Sequence, residues 1–590
     1  MADQESKASG AWAPYLLPSV GLYLILATFL VAAVGIITRT PLGDFFFLTD
    51  SLYRSQNGEV PHTDFISPVG IAFYLPLSWT AFFKASGLKN ILYVHAMMGA
   101  LVLIVCLSMK SRLKPLEFAL ITGLLLTTAM TGRDVDGGPL TYSWLAPYNR
   151  WGWAFAGVCI VLLTVQANNV AQSRNKDAVL IGLLLSFLLY LKVTFFVGML
   201  PIVAVCWALG RVHTGTLVKA GAVIAVFMTA VEILYGNNLD YLRDIQYASR
   251  VGLADGIGTR VPKLAFAAIL AGVAFSGSFA VACLLLRVGP AKLIRQHWRP
   301  LLVFSFVVGG VTFMKFQTHP YAEFTLYSVA FILLVAELSG RLGASPGGTP
   351  SSWIRFAPLA AILASAPFIA LDAGSLAAHA WETRTAGHCR PFASVSPRMT
   401  DLILSEPNLF GEPECLDLNS SATRLPQTLL AHAQRFQEAA AYLKPRVQGR
   451  QVVASFEFAN PFPYALGVEA PRGALIWMHE GRTFGQQHHP TTCFLEGSDW
   501  LVVSNYAQVP DYAWPSRFPL LPYLRRLVIA PSENFHGFGR DLWTIYRSYV
   551  RANFKQVWAS DETVIFQRVR PKSAAFDTCR GLARGSGQPR

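Results

Sequence analysis

Long uncharged apolar runs, broken by short polar segments, dominate the first two thirds of this chain. Residues 16–38 and 264–286 contain no charged residue. About 20 helical residues cross a hydrocarbon core of ~30 Å, so each run suffices for one crossing. Apolar spans read at 15–37, 90–109, 115–131, 150–166, 178–191, 193–210, 216–235, 264–286, 300–314, 324–340 and 356–374, which is eleven by this reading. The first lacks a small-residue cleavage site and exceeds a signal-peptide core, so it reads as an uncleaved anchor.

The stretch 178–210 carries a single charge, Lys192. One helix of that length would run roughly 50 Å, too long for one crossing, so the pattern predicts a hairpin with Lys192 at its tip. Residues 65–84 are also apolar, but Pro68 and Pro76 interrupt them and Lys84 and Lys89 follow. They read as a helix lying in the external interface. With these choices the N-terminus and the loops 110–114, 167–177, 211–219, 287–299 and 340–356 fall on the cytoplasmic side. Loop 287–299, with four basic and no acidic residues, is the strongest vote for that orientation.

Beyond residue 375 the pattern changes. Helical periodicity covers 425–443 and 541–554. Strand-like runs cover 451–458, 500–504, 527–530 and 563–569, and 555–560 with 563–569 reads as a closing hairpin. The expected architecture is an α-helical polytopic membrane protein of about eleven transmembrane helices (residues 1–375), followed by a soluble α/β or α+β domain (376–590) on the periplasmic face of a bacterial inner membrane.

Composition agrees. Apolar residues make up 53% of the 590, and charged residues only 14%, against about 25% in soluble proteins. A soluble enzyme, a disordered chain and a coiled coil are excluded. The net charge of +14 suits anionic lipid headgroups or phosphates. No basic run is interleaved with aromatics, so nucleic acid is not an expected partner. Cys106, Cys159, Cys206 and Cys283 lie in spans and read as apolar fillers. Cys389, Cys415, Cys493 and Cys579 lie in the tail and suggest two disulfides. Three pairings are open, the shortest loops being Cys389 with Cys415 and Cys493 with Cys579; four free thiols is the alternative. His479, His488, His489 and Cys493 match no standard zinc spacing.

Few charges are left to carry chemistry. The first external loop places Asp44 about six residues past the first span, in apolar surroundings where a carboxylate can act as a general base. Helix capping by Asp44 or Asp50 explains the same acids without chemistry. The loop continues through Tyr53, Gly58, Pro61-His62 and Asp64-Phe65. Lys192 offers positive charge at the membrane surface, or simply snorkels there. The second loop holds Asp134, Asp136 and, at the next span, Asn149-Arg150; the paired acids could hold a divalent cation or form a polar turn. Residues 315–323, including Lys315, His319 and Glu323, concentrate polar groups between two spans, as cavity-lining segments do. Asn460 to Gly467 with Trp477 reads as a sugar-binding aromatic surface or as core packing.

The order of acid past the first span, short amphipathic helix ending in Gly58, then Pro61-His62 and Asp64-Phe65, resembles the GT-C class of integral membrane glycosyltransferases. That class uses polyprenyl-phosphate-linked sugars and includes the lipid A aminoarabinose transferase, protein O-mannosyltransferases and oligosaccharyltransferases. The likeness extends over residues 10–375 in architecture, and in motif to the first loop and Lys192. It implies that Asp44 is the catalytic base and that polyprenyl phosphate leaves as the sugar is inverted. Lys192, Arg150, Arg260, Lys263 and Lys315 become candidates for the phosphate, and Tyr53, His62, Asp64, Asp134, Asp136, His319 and Glu323 for substrate contacts. Asn149 stands where many members carry an acid, which leaves metal use open. The expected partners are the lipid-linked sugar, a glycan, lipid or protein acceptor, and membrane lipids. A non-catalytic transporter or flippase of lipid-linked glycans is the alternative; the scarcity of mid-span charges and the lack of an internal repeat weigh against it.

Overall fold

The computed structural model describes residues 13–38, 42–83, 87–133, 144, 147–167, 170–254, 269–284 in part, 289–316, 325–343, 356–407, 413–415, 427–479, 483–485, 492–504, 538–560 and 563–572. Helices dominate up to residue 385: α1 (Ala13–Ala32), α2 (Leu42–Gln56), α3 (Ile71–Trp79), α4 (Lys89–Cys106), α5 (Pro115–Met130), α6 (Pro147–Thr164), α7 (Val170–Leu191), α8 (Val193–Ala208), α9 (Thr214–Tyr235), α10 (Asn238–Ala254), α11 (Pro290–Phe316), α12 (Thr325–Gly343) and α13 (Ala357–Thr385), with the short strand β1 (Ile36–Ile37) after α1. Among the described residues five segments are long and apolar enough to cross a membrane: Ala13–Ala32, Lys89–Met109, Thr214–Tyr235, Pro290–Met314 and Ala357–Thr385. Pro115–Met130, Val193–Ala208 and Thr325–Leu338 are apolar but shorter. Each expected span coincides with a helix except 264–286, most of which lies outside the described residues. α13 runs unbroken through residue 375 and ends only at Thr385. In α11 the backbone leaves helical values at His297, three residues before Pro300, whose ring cannot follow a regular turn.

The helix breaks at Lys192, a single extended residue between α7 and α8. Its neighbours give the direction of each helix. Lys192 reaches Asn149 at the start of α6, while Arg211, past the end of α8, bonds Thr164 at the end of α6. α8 therefore runs parallel to α6, and α7 runs back between their ends, which makes α7–α8 the hairpin that the span lengths require.

The same contacts sort the loops into two ends. At one end Arg112 pairs with Asp177 at 2.5 Å, Arg211 pairs with Glu337, Lys219 bonds Asn175 and Tyr15 donates to Leu113 O. These are segments expected to share the cytoplasmic side. At the other end lie Lys192, Asn149 and the exit of α1.

Segments after α13 pack at the Lys192 end. β1 pairs in parallel with β2 (Leu402–Ile403), and Val34 N donates to Thr383 Oγ1. β3 (Ser405–Pro407) and β4 (Pro413–Cys415) form a small antiparallel ladder. α14 (Gln427–Leu443), β5 (Val453–Phe456), the short helices α15 (Phe462–Leu466) and α16 (Cys493–Glu496), β6 (Trp500–Ser504), α17 (Phe538–Asn553), β7 (Phe554–Ala559) and β8 (Thr563–Arg568) follow. The four strands form a sheet in the order β5-β6-β8-β7, parallel only between β5 and β6. Side chains alternate between its faces. Ala454, Phe456, Leu501 and Val503 pack with Leu542, Tyr546 and Val550 of α17. Val453, Val502 and Ile565 turn to the other core, with Phe436 and Leu443 of α14. The expected helices and strands here recur with shifted ends, except 527–530, which lies outside the described residues. Cys389 and Cys493 are in disulfides, so the free-thiol alternative fails for both and Cys493 is removed from any metal set. Cys579 lies outside the described residues.

The helix expected over 65–84 is shorter than that range. α3 holds nine residues, followed by a 3₁₀ turn at Thr80–Phe83; at 1.5 Å per residue it is roughly 14 Å long and cannot span. Gly70 caps its start and donates to Leu191 O at 3.1 Å. A Cβ there would lie 2.0 Å from Tyr190 O, so only glycine lets the loop touch the hairpin tip. Gly70→Ala is expected to lower the melting temperature of the detergent-purified protein by several degrees, whereas Gly21→Ala, with nothing within 4 Å, should leave it unchanged or raised.

Candidate functional site

α2 is the helix on which the site is built. Thirteen of its 15 residues are buried, Leu42 to Ser55 without a break except Asp44. Asp44 is partly open and lies in the first turn, where the helix dipole favours a carboxylate. Gly43 beside it packs on Phe458. Asp50 lies in the middle of the helix, so it is not a cap. It pairs instead with Arg54 one turn on, at 3.0 Å, both side chains 1% exposed. Arg54 also meets Glu59 at 2.7 Å, donates to Pro471 O and lies over the Phe65 ring. Burial pushes the Asp50 carboxyl up to about 6 against the pull of Arg54.

One turn after Asp44, Phe47 opens an aromatic wall. Its ring stacks on Phe73 of α3 and meets Trp477 edge-on at 4.6 Å and Tyr148 at 6.2 Å. Tyr148 contacts Phe73 and lies nearly parallel to Trp477. Lys192 Nζ stands 5.2 Å from the Tyr148 ring centre and 3.3 Å from Asn149 Oδ1. The wall thus links the helix bearing Asp44 to Lys192. Asp44, Tyr148, Lys192 and Trp477 are all partly exposed, whereas Phe47, Phe73 and Asn149 are buried. An acid at the start of α2, a cation at the hairpin tip and the aromatic rings between those two elements are thus all partly accessible at one end of the bundle.

The other predicted residues divide. Tyr53 lies nine positions after Asp44, about half a turn round the helix, and meets Tyr464 and Arg398 instead. Asp64 accepts from Val60 N and shapes its own turn. His62 adopts a left-handed φ of 69°, and its Nδ1 is 2.8 Å from Asp244 of α10, which also accepts from Ser67 N. Burial raises the Asp244 carboxyl, opposed by those two contacts. Arg150 donates to Thr131 O and Oγ1 and to Arg133 O, tying two chain segments together. Lys315 is the penultimate residue of α11, its side chain outside the description, and Asp134, Asp136, Arg260, Lys263, His319 and Glu323 lie outside the described residues. Among the described residues no group of three or more His, Cys, Asp or Glu side chains is arranged to hold a metal ion.

Sequence reasoning missed Asp244, which lies 182 positions from His62 with no local signal, and the wall-forming role of Phe47. It also missed that α10 braces the hairpin: Tyr241 donates to Leu189 O, and Tyr190 to Asn238 Oδ1.

No family model matches the chain, and no curated protein does either. Solved structures similar to it include ArnT from Cupriavidus metallidurans bound to undecaprenyl phosphate, at 10% identity and TM-score 0.40, covering 96% of this chain and 99% of that one. The archaeal oligosaccharyltransferase AglB from Archaeoglobus fulgidus, in complex with an inhibitory peptide and a dolichol-phosphate, is 11% identical at TM-score 0.39, covering 82% and 69%. The Archaeoglobus fulgidus oligosaccharyltransferase tethered to an acceptor peptide is 10% identical at TM-score 0.41, covering 95% and 75%. At these TM-scores the likenesses assign neither residues nor activity.

The Arg54 cluster makes a sharp comparison. Arg54→Ala strands Asp50 beside Glu59 and should cost ~3–5 kcal/mol, the usual penalty for breaking a buried ion pair. Asp50→Asn removes a carboxylate that burial already disfavours and should cost clearly less. Thermal unfolding of the two variants in one detergent checks the order.

Proposed function

We propose that this chain is an inverting glycosyltransferase of the GT-C type, moving a sugar from a polyprenyl-phosphate donor to a lipid, polysaccharide or protein acceptor at the periplasmic face of a bacterial inner membrane. The observation that carries the reading is Asp44, the one partly open residue in an otherwise buried helical stretch, joined by an aromatic wall to Lys192 at the same end of the bundle. In this reading residues 1–375 are the membrane-embedded part and 376–590 the part facing the acceptor.

Asp44 accepts the proton of the acceptor hydroxyl or amine. The acceptor's lone pair attacks the anomeric carbon, and the bond from that carbon to the phosphate oxygen breaks on the opposite face. The electron pair leaves with the polyprenyl phosphate, whose growing charge Lys192 offsets. Asn149 holds the lysine towards the wall. Packing of Gly43 on Phe458 and of Phe47 on Trp477 holds the first turns of α2, so the base is fixed before substrate arrives. We assign no resident cofactor; Asp134 and Asp136 are the residues proposed for a divalent ion, if the donor phosphate arrives with one.

Asp44→Asn is expected to lower transfer by ~10²–10⁴-fold, the range for losing a general base, with the protein still folded. Retained transfer would overturn the assignment, and movement of intact lipid-linked glycan without transfer would favour the flippase alternative. Lys192→Ala is expected to weaken donor use while Lys192→Arg keeps part of it; titrating the donor against each variant provides the readout. An unaltered donor response in Lys192→Ala would leave the lysine a snorkelling residue only.

A further inference from the structure

The glycosyltransferase reading, on which this inference rests, constrains where the sugar lies. The anomeric carbon must face Asp44 on one side and carry the phosphate held by Lys192 on the other, so the sugar ring occupies the interval between them. The contacting rings of Phe47, Phe73, Tyr148 and Trp477 run from the helix that bears Asp44 to Lys192. Phe47 and Phe73 are buried, which leaves Tyr148 and Trp477 as the rings able to touch a ligand. Their planes differ by 9° with centroids 6.5 Å apart, and Lys192 Nζ stands beside one of them.

We propose that Tyr148 and Trp477 form the stacking subsite for the donor sugar, with Trp477 supplied by the chain beyond the last membrane-spanning helix. A sugar ring presents C–H groups on its faces, and these are attracted to the electron-rich face of an aromatic ring. Trp477 is mounted for that task. Gly473 N donates to Asp64 O, Ile66 N to Ala474 O and Ile476 N to Ile66 O, at 2.7 to 3.0 Å. On its far side Met478 N donates to Phe458 O, and the Thr483 hydroxyl donates to Trp477 O. The backbone on both sides is therefore fixed to the first loop and to the segment after β5, while Trp477 stays partly exposed. The first loop, which carries Asp44, and the segment that carries Trp477 are one unit, so base and sugar platform cannot drift apart.

The test uses the full-length protein in detergent, with undecaprenyl phosphate alone and undecaprenyl phosphate bearing a hexose, a pentose or an amino-pentose as probes, and affinity read by thermal-shift titration. Wild type is expected to bind at least one sugar-bearing lipid more tightly than the bare lipid. Trp477→Ala should cut that preference about tenfold and leave the affinity for bare undecaprenyl phosphate unchanged, while Trp477→Phe keeps most of the preference. Trp477→Leu, which retains bulk against Phe47, repeats the measurement if the alanine variant shows no melting transition. A preference that survives both Ala and Leu substitution overturns the subsite. Equal weakening of bare and sugar-bearing lipid also overturns it, because Trp477 would then meet the isoprenoid or the phosphate. Wild type that binds neither lipid refutes the glycosyltransferase reading itself, a result distinct from the other two.

Discussion

A single buried guanidinium holds the site end of this molecule together. Arg54 satisfies Asp50 on its own helix, Glu59 in the loop beyond it and the carbonyl of Pro471 more than 400 residues away. A charge so fully buried is tolerable only with its donors occupied, so all three partners must come together for any one of them to be stable. That requirement docks the segment leading to Trp477 against α2 and closes the loop after the helix. Asp44, ten residues before Arg54, inherits its position from this arrangement.

The second constraint is a closed circuit of short contacts around the hairpin tip. The first loop touches the tip through Gly70 and Leu191. The tip is bonded to α10 through Tyr241 and Asn238, and α10 returns to the first loop through Asp244, which meets His62 and Ser67. Lys192 follows Leu191 directly. Its flexible side chain thus starts from a backbone point tied to the first loop and to α10.

Much of the membrane part was legible. The break at Lys192 follows from length, since 33 apolar residues exceed one crossing, and contacts at both ends of α6 agree with it. Within the apolar run 65–84 the α-helix is confined to Ile71–Trp79, beginning after Pro68 and Gly70 and enclosing Pro76. The strand-like runs 500–504 and 563–569 were readable as short apolar, β-branched segments, and the structure has strands at Trp500–Ser504 and Thr563–Arg568. Capping by Asp50, the alternative open for an acid near a span end, does not hold, because the residue lies inside α2 and pairs with Arg54 one turn on.

The sequence by itself determined the membrane class, the sorting of loops to two ends and the short list of residues able to do chemistry. These depend on local quantities: the length of apolar runs, the reach of a helix and the cost of a charge in hydrocarbon. The tertiary structure alone decided which of those residues lie near one another. It linked the helix bearing Asp44 to Lys192 through a run of aromatic contacts, committed Arg150 to backbone carbonyls, seated Trp477 against Phe47 and joined Asp244 to His62. Contacts between residues 40 to 430 positions apart are set by packing and by the pairing of buried charges, and no local pattern in the chain encodes them.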